Sequence, residues 1–263
     1  GSVVALAADG STAYSRGNVT EPALPRSCNK PLQALAMVRL GLDLDGELLA
    51  LACASHSGEE FHLDGVRAIL ARAGLTEDAL ANPAGWPLED RVRDEVVRAG
   101  GTASRLHMNC SGKHAAMLLT CVLNDWPTAG YLDPAHPLQV GLLADFATQT
   151  GEDVAHVATD GCGAPLLSTS LTGLARAFAA LATGTDEPAV RVVPAHERLR
   201  GDDLTGAHVH DRLEVQCQLV AGQRAIEVVE HRDAVERQLA HRVREDLVAA
   251  LARQLGPVHR QVG

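Results

Sequence analysis

The chain has 263 residues, which is enough to bury a large core in one domain or in two closely packed ones. Hydrophobic residues make up 46% and charged residues 21%, as in ordinary globular proteins, and only seven residues are aromatic, so the core must be aliphatic. A formal net charge of −10 argues against nucleic acid as a partner. No apolar run approaches the roughly 20 residues of a spanning helix, so no membrane partner is expected.

The apolar pattern predicts a chain that mixes helices and strands. Short apolar runs predict strands at 3–8, 48–54 and 154–158, and a late pair at 215–220 and 225–229. Helical spacing predicts helices at 31–40, 63–73, 113–123, 137–148, 166–181 and 234–255. No repeat or long linker interrupts them, so a single domain over residues 1–263 is the simplest organisation.

The six cysteines are widely scattered and do not form the dense framework of a small secreted domain. No secretory signal is visible. We therefore expect reduced thiols and a cytoplasmic location.

The chain contains only two lysines, Lys30 and Lys113, and each lies in a compact polar motif. Every other fixed positive side chain is arginine, which cannot lose its proton as a desolvated lysine can. Ser27 and Lys30 are three residues apart at a predicted helix start, so the amine can approach the hydroxyl and act as its base. The alternative is that Ser27 only caps the helix and Lys30 is solvated.

A second motif, residues 55–59 (SHSGE), follows the predicted strand at 48–54. Ser55 could be a second nucleophile or a hydrogen-bonding partner of a substrate. His56, Glu59 and His62 also suggest zinc, but their spacing matches no familiar zinc pattern. A purely structural turn is the competing interpretation.

Two further cysteines lie in polar, glycine-containing loops, at 109–114 (NCSGKH) and 159–165 (TDGCGAP). Structural cysteines normally lie in apolar runs, as Cys53 and Cys121 do. Cys110 and Cys162 could pair as a disulfide, bind a metal as thiolates or supply a reactive thiol, or they could be inert.

Taken in order, these motifs resemble the L-asparaginase II family of bacterial serine amidohydrolases. The matching stretches are 25–36, 53–59, 109–118, 136–139 and 159–165. The resemblance implies an α/β (α+β) fold like that of the serine β-lactamases and glutaminases, with a mixed sheet flanked by helices. It also implies a homodimer that acts on a small molecule, L-asparagine.

The resemblance implies roles for individual residues. Ser27 is the nucleophile, Lys30 is its base, and Ser55 belongs to a second Ser-Lys tandem. Zinc is implied in a supporting role, bound by Cys110, Lys113 and Cys162. An amine binds a metal only when it is neutral, which explains why arginine would not serve at position 113. The implied substrate-binding residues are Arg26, His56, Asn109, His114 and Asp160.

The resemblance fades after residue 183, and the lysine that partners the second serine in the family has no counterpart in this two-lysine chain. The expected reaction is hydrolysis of asparagine to aspartate and ammonia through a serine acyl-enzyme, in which backbone N–H groups or another polarising group stabilise the oxyanion. One rival is a β-lactamase-like serine acylase, although the chain has no Lys-Thr-Gly segment. The other rival is a degenerate protein that binds zinc or an amino acid.

Overall fold

A computed structural model describes residues 1–186, 188–189, 191–192, 215–219 and 226–230, the last two segments as backbone. In this part of the chain seven α-helices surround two small antiparallel sheets, which makes the fold α+β. The helices are α1 (Lys30–Arg39), α2 (Gly46–Ala52), α3 (Glu60–Arg72), α4 (Asp90–Arg98), α5 (Ser111–Leu123), α6 (Pro137–Thr150) and α7 (Leu171–Thr183). Two short 3-10 helices span Arg26–Asn29 and Glu77–Ala79.

The larger sheet joins the two ends of the described chain. Its strands are β1 (Val3–Leu6), β2 (Thr12–Arg16), β5 (Val215–Leu219) and β6 (Ile226–Glu230), in the order β2-β1-β6-β5. Val4 pairs with Ser15 on one side and with Val228 on the other. The smaller sheet is a hairpin of β3 (Val157–Thr159) and β4 (Pro165–Leu167).

Helix α5 lies at the centre of the helical layer. It packs against α1, α2, α3 and α6, and every residue from Ser111 to Cys121 is buried. A helix that is buried on all sides is apolar around its whole circumference, which agrees with the run of Ala, Met and Leu in α5. Helix α7 packs on β1 and β6 and covers the larger sheet.

The prediction of a strand at 48–54 is wrong, because this stretch forms α2 over Gly46–Ala52. A short apolar run cannot by itself distinguish a buried strand from a buried helix. Its composition of Leu, Ala and Glu, with no β-branched residue, favours the helix. The Ser55 motif therefore follows a helix and not a strand.

The helix predicted at 166–181 begins later than expected. Residues 165–167 form β4, and α7 begins at Leu171, where Ser170 Oγ accepts a hydrogen bond from the Gly173 amide. The helices predicted at 31–40, 63–73, 113–123 and 137–148 are confirmed, as are the strand at 3–8 and the late strand pair. The strand predicted at 154–158 forms later, at Val157–Thr159. The helix predicted at 234–255 lies outside the described residues.

Every strand pair that the structure describes is antiparallel, so this part of the sheet is not mixed as predicted. The likeness to serine β-lactamases remains a prediction. None of the helices in the described ranges is long and apolar enough to cross a membrane.

Candidate active site

Ser27 lies on the short 3-10 helix that leads into α1. The chain before it is held at Ala23, which exchanges two backbone hydrogen bonds with Thr169 at 2.9 and 3.1 Å. Arg26 then adopts a φ of 50°, a left-handed conformation that is uncommon for a residue with a side chain and is found disproportionately at functional sites. The turn leaves Ser27 exposed while Lys30, three residues later, points inward.

Lys30 is one of the most deeply buried side chains, with 1% of its surface exposed. Its Nζ atom donates to Ser55 Oγ at 2.7 Å and to the carbonyl oxygen of Ala54 at 3.0 Å. Ser55 Oγ in turn lies 3.5 Å from Ser27 Oγ. Burial lowers the pKa of Lys30 below its ordinary value, whereas a thiolate at Cys110 opposes this effect.

The loop between α2 and α3 presents Ser55 and is fixed by His56. The His56 amide donates to the carbonyl oxygen of Asn109 at 3.1 Å, which ties this loop to the start of α5. Ser111 Oγ donates to the Leu106 carbonyl at 2.8 Å, so it accepts from His56 Nε2 at 2.8 Å. Burial lowers the pKa of His56 to about 3, so the ring is neutral.

The start of α5 places Cys110 and Lys113 one turn apart on the same face. The carbonyl of Cys110 accepts the first helical hydrogen bond, from His114. Gly112 allows α5 to approach α2 closely, since a Cβ atom here would lie 2.7 Å from the carbonyl oxygen of Leu51. Lys113 is buried, with 2% of its surface exposed.

Cys162 reaches the same place from the turn between β3 and β4. The Asp160 amide donates to the Ala164 carbonyl at 2.9 Å, and Gly163 adopts a φ of 86°, which closes the turn. Cys162 folds inward, where its Sγ lies 3.3 Å from Lys113 Nζ and 3.6 Å from Asp160 Oδ2.

The pKa values of the two thiols are shifted in opposite directions. A hydrogen bond from Cys162 lowers the pKa of Cys110 to about 5, and nearby Lys30 and Lys113 favour the same thiolate against the effect of burial. The same hydrogen bond, together with burial, raises the pKa of Cys162 to about 11. These opposite shifts favour a thiolate at Cys110 and a neutral thiol at Cys162. Both cysteines are free thiols, so the disulfide alternative is not realised in this structure.

The described residues contain no group of three or more His, Cys, Asp or Glu that could hold a metal ion. The zinc interpretation of His56, Glu59 and His62 is therefore not supported. Cys110, Lys113 and Cys162 are a different donor set, because one ligand is an amine. They fit a soft cation such as zinc, since the lowered pKa of Cys110 favours its thiolate and the Lys113 amine lies beside Cys162.

Arg26 and Asp160 meet at the surface beside Ser27. Their nearest charged atoms are 3.7 Å apart, and Arg26 is the more exposed, with 68% of its side chain accessible against 11% for Asp160. Asn109 is half-buried, and its Oδ1 lies 3.4 Å from Cys110 Sγ. The orientation of an asparagine amide is assigned from its hydrogen bonds. A thiolate at Cys110 can only accept, so it favours the flipped Asn109 amide, with Nδ2 toward the sulfur.

His114 is completely buried, whereas Arg26 and Ser27 are exposed. Its Nδ1 lies 2.8 Å from Tyr131 Oη, and this oxygen also accepts from the Ala81 amide at 3.0 Å. Burial lowers the pKa of His114, and the Cys162 thiol opposes that effect. The substrate-binding role expected for His114 stays a prediction.

Several contributors were not predicted from the sequence. Ser111 hydrogen-bonds to His56 and lies inside the NCSGKH motif. Its polar side chain at a helix start could have identified it as a site residue. No sequence pattern indicated that the Ala54 carbonyl accepts from Lys30. None indicated that Tyr131 contacts His114. The matching stretch at 136–139 is structural, since His136 caps α6 and Gln139 Nε2 donates to the Tyr131 carbonyl.

The family model for L-asparaginase II matches residues 1–239 of the chain. A search of the curated proteins gave no match. The family match includes Ser27, Lys30 and Ser55, the two cysteine loops and the late strand pair. With 239 of 263 residues matched, this chain belongs to the L-asparaginase II family.

Proposed function

We propose that this protein hydrolyses the side-chain amide of L-asparagine to aspartate and ammonia through an acyl-enzyme on Ser27. The family membership implies an amidohydrolase acting on a small molecule. The serine mechanism is supported by a series of hydrogen bonds in which Ser55 Oγ links the exposed hydroxyl of Ser27 to the buried amine of Lys30.

The buried amine has the property that a general base needs. Burial lowers the pKa of Lys30, so the neutral form is more accessible than for a solvated lysine. Ser27 loses its proton to Lys30 as its Oγ bonds to the amide carbon. The C–N bond then breaks, and the departing nitrogen takes up a proton and leaves as ammonia. Water attacks the ester carbon, releases aspartate and returns the proton to Ser27.

The groups around Ser27 suit an amino-acid substrate. Arg26 offers a fixed positive charge to the α-carboxylate, and Asp160 offers a negative charge to the α-ammonium group. Binding of asparagine would replace the single long contact between these two side chains by two contacts with substrate. His56 Nδ1 is buried and has no hydrogen-bond partner among the described residues, which leaves an unsatisfied acceptor in the residue next to Ser55.

We also propose that Cys110, Lys113 and Cys162 bind zinc in a supporting role. When bound, zinc supplies a fixed positive charge that holds the two cysteine loops together. Two thiolate ligands lower its Lewis acidity, which favours an ordering role over the generation of hydroxide. Asp160 lies two residues from Cys162, so an ordered hairpin positions a substrate ligand.

Metal analysis tests the zinc proposal. Purified protein should contain one zinc per chain, and Cys110→Ser or Cys162→Ser should lower that content strongly, whereas Cys121→Ala should not. Removal of zinc with a chelator should raise KM for asparagine more than it lowers kcat. Unchanged substrate affinity in the zinc-free protein would contradict the ordering role.

Ammonia release tests the activity. Wild-type protein should release ammonia from L-asparagine, Ser27→Ala should lose this activity, and Ser15→Ala, which changes an exposed serine on β2, should keep it. Hydroxylamine should divert the acyl group to aspartyl hydroxamate in the wild type only. Activity that survives in Ser27→Ala would exclude Ser27 as the nucleophile.

The proposal extends to a homodimer in the cytoplasm, which the resemblance and the reduced thiols favour. Light scattering of purified protein measures the oligomeric state directly, and a monomeric mass would contradict the dimer.

A further inference from the structure

The Lys30 amine makes no hydrogen bond to the Ser27 hydroxyl among the described residues, although the Lys30 backbone amide donates to the Ser27 carbonyl. Its Nζ atom donates to Ser55 Oγ and to the Ala54 carbonyl, and it also interacts with the Cys110 thiol. Ser55 Oγ lies 3.5 Å from Ser27 Oγ and therefore stands between the nucleophile and the base.

The position of the amine is fixed by its surroundings. The Ala54 carbonyl holds Nζ at 3.0 Å, and the side chain is almost wholly enclosed. Turning the amine toward Ser27 would leave a part-buried carbonyl without its donor, which is unfavourable. The hydroxyl of Ser55 can bridge this gap, because it donates one hydrogen bond while accepting another.

The composition of the chain supports the same arrangement. The only lysines are Lys30 and Lys113, and Lys113 lies beside Cys162. Ser55 therefore has no lysine of its own, and the amine that it contacts is Lys30. The one amine beside Ser55 is therefore that of Lys30, whereas the family resemblance implies two separate Ser-Lys tandems.

We propose that Ser55 is a catalytic residue that relays the proton of Ser27 to Lys30. This inference rests on the proposed serine mechanism. As Ser27 Oγ bonds to the amide carbon, its proton passes to Ser55 Oγ, and the proton of Ser55 passes to Lys30 Nζ. When the C–N bond breaks, Lys30 Nζ returns a proton to Ser55 Oγ, and Ser55 passes its own proton to the departing nitrogen, which leaves as ammonia. Ser55 therefore carries one hydroxyl proton both before and after each half-reaction.

Removal of the relay should slow acylation without removing the nucleophile. The rate of acyl-enzyme formation is measured by rapid quench and intact mass in Ser55→Ala, Ser55→Thr and, as the matched control, Ser57→Ala. Ser57 lies on the same loop, but its hydroxyl donates to Glu59. We expect Ser55→Ala to lower the rate about 100-fold or more, Ser55→Thr to stay within about tenfold, and Ser57→Ala to equal the wild type.

A proton inventory separates a relay from a merely structural hydroxyl. In mixtures of light and heavy water the wild-type acylation rate should follow a curved dependence on deuterium fraction, because two protons move together. The residual rate of Ser55→Ala should vary linearly. The relay would be overturned if the wild-type rate varied linearly with deuterium fraction, or if Ser55→Ala formed the acyl-enzyme at the wild-type rate. An acyl group mapped to Ser55 would overturn it as well.

A sulfonyl fluoride probe separates this inference from the choice of substrate. Its reaction forms a bond from Ser27 Oγ to sulfur, expels fluoride and needs the same proton transfer to Lys30. Labelling of Ser27 that depends on Ser55 would support the relay even if asparagine is not hydrolysed. Labelling at equal rates in wild type and Ser55→Ala would exclude the relay even if asparagine is the substrate.

Discussion

Burial of charged and polar groups is the dominant feature of the site at the scale of single residues. Lys30 and Lys113 are almost wholly enclosed, as is Cys110 with 4% exposure. Burying an unpaired charge costs several kcal/mol, so each amine lies beside an acceptor or a thiol. This enclosure explains the choice of lysine, because only an amine can switch between charged and neutral forms in such surroundings.

His56 makes a prediction about pH and stability. Burial, with smaller contributions from nearby His62 and Lys30, lowers its pKa from 6.5 to about 3. Between these values the unfolded chain binds a proton that the folded protein does not. Stability should therefore fall as the pH drops from 6.5 toward 3, by up to about 1.4 kcal/mol per pH unit.

Chemical denaturation at a series of pH values measures this effect. The matched variant is His56→Gln, which can keep a donor toward Ser111 but does not titrate. Its stability should depend less on pH across the same window. Parallel curves for the two proteins would show that His56 is not held neutral in the fold.

At the scale of elements, the site depends on how closely α5 approaches α2. Gly112 lies in the first turn of α5, between Cys110 and Lys113, where a Cβ atom would meet both the carbonyl oxygen and Cγ of Leu51 at 2.7 Å. Because a backbone carbonyl cannot move aside cheaply, the helix itself would have to shift. That shift would also displace both proposed metal ligands on α5.

Gly112→Ala should therefore destabilise the protein by about 1–2 kcal/mol, although alanine favours a helix. The matched variant is Gly141→Ala within α6, whose Cβ would lie 3.0 Å from the flexible end of Leu40. That variant should be neutral or slightly stabilising. Thermal unfolding compares the two, and equal midpoints would contradict the close approach.

Helix α2 shows the limit of local prediction. The stretch around Leu49 and Leu51 is apolar throughout, and burial on all sides removes the periodicity that separates a helix from a strand. Helices α1, α3 and α6 could be predicted because glycine, proline or polar residues bound an apolar pattern. The highly charged α4 and the exposed strand β2 were missed, since neither buries a clear apolar face.

At the scale of the whole molecule, the larger sheet closes the fold by pairing its first strand with its last. Val3, Val4 and Ala5 of β1 pair with Val229, Val228 and Glu227 of β6. Strand β5 also lies beside the 3-10 helix that carries Ser27. Contacts between residues so distant in sequence cannot be predicted from local patterns.

A truncated chain tests the importance of this closure. A chain that ends at residue 214 lacks β5 and β6 and leaves β1 with an unpaired edge, which invites aggregation. It should lose cooperative thermal unfolding, whereas a chain that ends at residue 239 keeps both strands and should retain it. An unchanged midpoint in the shorter chain would show that the sheet does not need its late strands.

The candidate site could be predicted from the sequence as a set of residues but not as a network. Ser27, Lys30, Cys110 and Cys162 were identified because polar motifs interrupt an aliphatic chain. The contact from Lys30 to Ser55 could not be predicted from the sequence, because it depends on the exact path of the backbone at Ala54.

The central claim is that Ser27 forms the acyl-enzyme, and intact mass spectrometry during turnover of L-asparagine tests it most directly. Rapid acid quench should reveal protein heavier by one aspartyl group, and peptide mapping should place that group on Ser27. The adduct should be absent from Ser27→Ala. Steady ammonia release with no adduct, or an adduct on another residue, would contradict the account.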